Sequence, residues 1–167
     1  MIGVRRLKEF SLPLKHKYER PIIELYRLPA LIDTGAVVPV FSIFPAILEK
    51  FFNAQIILSN KFIGVFGGLE FGSVYSLSEF KIGELVFENF EVFVPNEPRL
   101  KFPFLLSATL FYGTDYEFDT INEKFTVRLN DDQSLKRDFK IKDLNGRLFP
   151  QLDGILFQDI DMELHSF

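Results

Sequence analysis

Apolar and polar positions alternate with a period of two along most of the chain. In "FENFEVFVPN" Phe90, Val92 and Val94 fall on one face, and in "KFTVRL" Phe125, Val127 and Leu129 do the same, the pattern of half-buried strands. "FKIGELVF" reads as two strands joined through Gly83. "KIKDLNGRLF" carries Asn145-Gly146, a strong hairpin signal because both residues accept a positive φ. The tail "QDIDMELHSF" sets Ile160, Met162 and Leu164 against Asp161, Glu163 and His165, which predicts a half-buried or interface strand. Helix is scarce. One short helix is predicted in "SIFPAILEKFF", with Ser42 as the cap, Pro45 in the first turn and Ile47, Leu48 and Phe51 sharing a face. A second is predicted in "FLLSATLFYG", ended by Gly113. Short strands separated by frequent turns predict an all-β, barrel-like domain with one or two short helices.

At 167 residues the chain fits one domain, residues 1–167, long enough to bury a core without staples. The absence of cysteine excludes a disulfide framework and thiolate chemistry. Charges are scattered through "MIGVRRLKEFSLPLKHKYERP", which lacks the apolar core of a signal peptide, and a cytoplasmic location is expected. Pro, Gly or a charge interrupts each apolar stretch before the roughly 18 residues of a membrane span, so no membrane partner is expected. A net charge of −4 with basic residues spread along the chain argues against nucleic acid, and acids punctuate the most basic run, "SLKRDFKIKD". The composition has 21 Phe and no Trp, an imbalance that genome composition accounts for as readily as function.

Few residues carry chemistry. His16 and His165 lie near opposite ends, which gives no support to a His-based triad or a zinc site. Asp131-Asp132 and the run Asp159, Asp161 and Glu163 lack the spacing of a calcium loop and read as solvated strand edges. Gly67-Gly68 has no following Lys-Ser/Thr and is not a phosphate loop. Neither a cofactor nor a metal is expected.

"LPALIDTGAVVPVF" places one carboxylate, Asp33, inside an apolar run and follows it with Thr34 and Gly35. Desolvating a carboxylate is costly unless it is hydrogen-bonded or shares a proton, so Asp33 is either a structural turn residue or a reactive acid. The tripeptide alone is a weak signal. Its context is an apolar strand, "ALI", then Ala36, a further apolar stretch and a short helix. This arrangement resembles the active-site segment of the retropepsin-like aspartic proteases, the single-domain relatives of pepsin. "FIGVFGGLEFGSVYSL", with Gly64, Gly67, Gly68 and Gly72 between β-prone flanks, is similar to the hairpin flap of that family. "FPFLLSATLFYGTDYEFD" is similar to its closing segment, except that Ser107 stands where Gly is usual. The resemblance covers residues 18–130 and leaves residues 131–167 as a C-terminal β extension.

The resemblance implies a closed β-barrel with a β-hairpin flap and the activity of an aspartic endopeptidase. That chemistry needs two adjacent carboxylates sharing one proton, the ionised one acting as base on a water while the protonated one donates to the scissile carbonyl. The chain holds one Asp-Thr-Gly, and Asp119-Thr120 lacks the Gly. A homodimer with Asp33 and its symmetry mate as the dyad is therefore implied. Thr34 would bond the opposing loop, and the Gly35 amide would donate to the carboxylate. Ala36 offers no hydroxyl there, so activity is expected at mildly acidic to near-neutral pH. An extended polypeptide would bind along Ala36, Val65, Phe66, Gly67, Gly68 and Leu69, with Phe62 and Phe71 as further pocket walls. "DIDMEL" and "IGVRRLKEF" are candidates for terminal strands that tie the dimer. Two other functions stay open at this point. One is a catalytically silent module of the same fold for dimerisation or peptide binding. The other is a barrel for a small apolar ligand, which would work as a monomer.

Overall fold

A computed structural model describes residues 8–17, 19–130 and 133–158. The chain begins with β1 (Lys8–Pro13), β2 (Lys15–Lys17), β3 (Arg20–Leu25) and β4 (Leu28–Asp33), followed by β5 (Val40–Phe41) and helix α1 (Pro45–Phe52). A long hairpin of β6 (Gln55–Val65) and β7 (Gly68–Ile82) then runs into β8 (Leu85–Pro95). β9 (Phe104–Ser107) leads into a single 3-10 turn (Ala108–Phe111) and on to β10 (Asp115–Asp119) and β11 (Lys124–Leu129). The remaining strands are β12 (Lys136–Arg137), β13 (Phe139–Leu144), β14 (Arg147–Leu152) and β15 (Ile155–Leu156).

The period-two segments become strands with their apolar faces inward. Phe90, Val92 and Val94 of β8 are buried, as are Phe125, Val127 and Leu129 of β11. Phe87 and Phe93 of β8 are buried too, so this strand is covered on both faces. Gly83 turns β7 into β8 at φ +58°, and Asn145-Gly146, both at positive φ, joins β13 to β14.

The strands of the described residues assemble into three sheets. β1, β11 and β10 form one antiparallel sheet, and β13, β14 and β15 form another. The main sheet runs β2-β3-β4-β9-β5-β8-β7-β6, with β12 added alongside β8. The expected closed barrel is not formed among the described residues: the path has two ends, β2 and β6, which do not pair with each other. β2 is three residues long and exposed throughout, too short and too polar (Lys15, His16, Lys17) to zip onto the longer β6.

The helices also differ from expectation. α1 starts after Phe44 rather than after a Ser42 cap, and the Ser42 hydroxyl instead accepts the Leu100 amide at 3.1 Å. Within α1 only Leu48 is fully buried and Phe52 packs half-buried against Phe80 of β7, while Ile47 and Phe51 face outward. The second predicted helix is the single 3-10 turn after β9, and Gly113 closes it at φ +82°.

Phenylalanine fills the core. Phe41, Phe80, Phe90 and Phe104 are fully buried, and their neighbouring rings have centroids 4.7–6.0 Å apart. Phe111, Phe118, Phe125 and Tyr116 form a second cluster between the 3-10 turn and the β10-β11 pair.

Residues 133–158 lie against the same chain. The Glu91 carboxylate of β8 accepts the Ile141 amide at 2.8 Å, and Lys140 donates to the Asn89 carbonyl at 2.8 Å. The Arg137 guanidinium donates to the carbonyls of Leu110 and Tyr112 at either end of the turn's last residues and pairs with Asp153. Burial works against its charge and Asp153 supports it. The "DIDMEL" strand and Asp131-Asp132 lie outside the described residues, as does the first part of "IGVRRLKEF". Lys8 to Phe10 from that segment belong to β1 and pair with β11.

An ion pair joins the β6-β7 hairpin to the C-terminal sheet: Lys61 donates to the Asp143 carboxylate, which also accepts the Gly146 amide at 2.8 Å. The Lys61 hydrogen bond, more than any other contact, holds Asp143 below the usual carboxylate range. A carboxylate depressed on folding stabilises the fold above its unfolded pKa, about 3.9, and the contribution is lost as pH falls through the lower folded value. The stability difference between the native chain and Asp143→Asn should therefore be constant at neutral pH and shrink below about pH 4. Urea unfolding at a series of pH values checks this, and a difference that grows on acidification would contradict it.

Candidate active site

Apolar residues set the position of Asp33. Ala30, Leu31 and Ile32 of β4 are buried beside Phe104, Leu105 and Leu106 of β9, in parallel register, which places Asp33 level with Ser107. β5 flanks β9 on its other side, antiparallel, with Val40 opposite Leu105. The chain must therefore cross the end of β9 to travel from β4 to β5, and residues 34–39 make that crossing. Asp33 is half-buried at the start of the crossing, while Thr34 and Gly35 are exposed.

The turn is built from its own short-range bonds. The Gly35 amide donates to Asp33 Oδ1 at 2.9 Å, and the Ala36 amide donates to the Asp33 carbonyl at 3.1 Å. The carboxylate is thus oriented by a backbone donor and keeps its second oxygen for other partners. Val38 and Val40 are buried just beyond and anchor the far end of the loop.

Ser107, where the resemblance leads one to expect Gly, is fully buried in extended backbone. Its hydroxyl bonds the Thr109 hydroxyl at 2.8 Å, which satisfies it locally. Ser107→Gly would delete this bond and add backbone freedom to the unfolded chain, so a loss of about 1–2 kcal/mol is expected. Chemical denaturation measures it, and an unchanged or raised stability would show that the Ser has no structural use here.

The β6-β7 hairpin closes over this loop. Its two-residue turn is Phe66-Gly67, at φ +50° and +75°, the type I′ geometry that suits a twisted hairpin. A bulky residue at positive φ is strained, and such strain tends to be kept where the side chain has a use. Val65 is buried, and a cavity of about 40 Å³ lies between Asp33, Gly35 and Ala36 on one side and Ile63, Val65 and Phe66 on the other. That volume suits a water rather than a peptide.

Of the residues predicted to line the site, Ala36, Val65 and Phe66 meet Asp33 at this cavity. Gly67, Gly68 and Leu69 do not line it: Gly67 faces open space at the turn, and Leu69 is exposed. Gly72 lies away from the tip, opposite Pro95, where a Cβ would fall 2.1 Å from the Val94 carbonyl oxygen. Its role is therefore close packing of β7 on β8. Phe62 and Phe71 pair on the exposed side of the hairpin, rings 6.1 Å apart. Sequence reasoning missed Ile63 and Leu105, which line the cavity, and a group of cations, Arg20, Arg99 and Lys101, that line a second pocket together with Phe66. Among the described residues no three His, Asp or Glu side chains converge to hold a metal ion, and no helix is long and apolar enough to cross a membrane.

No protein-family model matches the chain, and no curated protein sequence matches it. Among solved structures, the chain is similar to a retropepsin-like aspartic protease from Rickettsia conorii, with 14% sequence identity and a TM-score of 0.51. The match covers 77% of this chain and 98% of the other. The mostly β chain thus has a retropepsin-like fold, with the 14% identity speaking to fold alone.

Proposed function

We propose, from the retropepsin-like fold, that this protein is an aspartic-type endopeptidase that works as a homodimer. The observation that carries the reading is the placement of Asp33: an oriented, half-accessible carboxylate in a loop capped by a hairpin, on a fold shared with a protease of that type. A single carboxylate cannot supply both the base and the acid of the reaction, and the exposure of Thr34 and Gly35 leaves the loop able to meet a second copy. In the dimer the two Asp33 side chains share one proton. The ionised one takes a proton from water as the oxygen attacks the peptide carbonyl carbon, and the protonated one donates to the carbonyl oxygen. As the tetrahedral adduct collapses and the C–N bond breaks, the carboxyl that took the water's proton gives it to the departing amine, and an adduct hydroxyl returns its proton to the other carboxylate, which restores the one-proton dyad. The substrate is an extended polypeptide held between the hairpin and the loop, its backbone pairing with strand edges. No cofactor is required by this chemistry.

Digestion of a complex peptide library at pH 4 to 7, read by mass spectrometry at several protein concentrations, tests the reading. Cleavage whose rate per chain rises with protein concentration, alongside a dimer in sedimentation, would support it. Cleavage by a stable monomer would overturn the two-chain dyad. The tight cavity and the Ser107 substitution favour a second reading, a peptide-binding or dimerisation module without catalysis, and a folded dimer that cleaves nothing would establish it.

A further inference from the structure

The tip residue Phe66 lines both the Asp33 cavity and a larger pocket of about 320 Å³. Arg20, Arg99, Leu100, Lys101 and Phe102 complete that pocket. Its lining combines apolar Phe66, Leu100 and Phe102 with three cationic side chains, in a chain whose net charge is −4. Arg99 is engaged by Glu70 at 3.5 Å and by Glu97 at 3.4 Å. Arg20 differs: it has no carboxylate partner among the described residues, and its guanidinium lies over the Phe66 ring, 4.8 Å from the centroid. Stacking of this kind fixes the plane of the guanidinium and leaves its edge N–H groups for an acceptor.

We infer that this pocket is a specificity subsite for an acidic side chain, Glu or Asp, of a bound peptide. The inference rests on the peptidase reading above in placing a peptide strand between the hairpin and the Asp33 loop. Such a strand passes Phe66, and one of its side chains reaches the larger pocket that Phe66 also lines. The methylenes of a Glu would lie on Leu100 and Phe102, and its carboxylate would accept from Arg20, with Lys101 adding positive potential. The volume is in the range of pockets that enclose a small ligand, far more than one carboxylate, which leaves room for the peptide backbone beside it. The strained Phe66 conformation then has a use, since the same ring bounds both sites and carries the cation.

The test uses the full chain carrying Asp33→Asn, which would bind without cleaving, and peptides that differ only in having Glu, Gln or Lys at each position in turn. Fluorescence anisotropy should show one position at which Glu binds about tenfold tighter than Gln in low salt, a preference that weakens in high salt. Adding Arg20→Gln should bring the Glu to Gln ratio near one, and Arg20→Glu should turn the preference toward Lys. A ratio within about twofold at every position, or one that Arg20→Gln leaves unmoved, overturns the subsite; so does failure of every peptide to bind. Because the readout is a ratio on one protein, a loss of folded material does not mimic it. The two readings fail separately. An Arg20-dependent Glu preference in a native chain that cleaves nothing sinks the peptidase and keeps the pocket, whereas cleavage with no Glu preference does the reverse.

Discussion

Asp33→Asn should remove peptide cleavage, lowering kcat/KM by roughly 10²–10⁴-fold or more, while leaving the fold in place. The two halves of that expectation have different physical origins. An Asn side chain cannot exchange a proton with water at the working pH, so a dimer of the variant has neither base nor acid. It still presents a carbonyl oxygen to the Gly35 amide, the one side-chain hydrogen bond that Asp33 makes in the turn, so stability should change by less than about 1 kcal/mol. Unfolding curves and cleavage assays on the same preparation separate the two. Mixing adds a sharper arm. If each dyad takes one carboxylate from each chain, an excess of Asp33→Asn chains draws native chains into mixed dimers with a single carboxylate, and total activity should fall well below that of the native chains alone. Activity that tracks the amount of native chain and ignores the variant would rule out a shared dyad.

Legibility in the sequence follows the range of the interactions. Asp33, Thr34 and Gly35 are contiguous, their geometry is set by bonds spanning two or three residues, and the apolar run before them is the strand that carries them. The Asn145-Gly146 and Phe66-Gly67 turns are equally local. What escaped is non-local or hinges on competition. Ser42 is a good cap in isolation, yet its hydroxyl is taken by the Leu100 amide from a distant loop, and α1 begins without it. Ile47 and Phe51 have the spacing of a buried face, but the residues that meet the sheet are Leu48 and Phe52. Closure of the barrel could not be read from strand patterns, because it depends on whether the two end strands reach one another, and β2 is too short to do so. The cationic pocket joins Arg20, Phe66 and the segment around Arg99, three places far apart along the chain, and no local pattern announces such a meeting.

The large Phe content is explained by the core, and Phe80 is where its removal should cost most. Phe80 is fully buried on β7 and its ring contacts those of Tyr26, Phe41, Phe52, Phe90 and Phe104, at centroid separations of 4.9–5.8 Å. These neighbours come from the β3-β4 turn, from β5, from α1, from β8 and from β9, so one ring bridges most of the main sheet's layers. Phe80→Ala would leave a cavity that five rings held by separate elements cannot collapse together to fill. A loss at the upper part of the usual range, about 3–5 kcal/mol, is expected. For a chain of this size that is a fall in Tm of about 10 °C or more, a large share of a typical folding free energy. Phe80→Leu, which keeps most of the volume, should lose less than half as much. Urea and thermal unfolding of both variants check the pair of values. A loss below about 1.5 kcal/mol for Phe80→Ala would mean that the cluster is plastic enough to close the gap. The consequence reaches the candidate site through Phe104: it packs on Phe80 and lies on β9, the strand whose register with β4 sets the level of Asp33. An aromatic core that resists collapse is thus also what keeps the carboxylate's supporting strand in place.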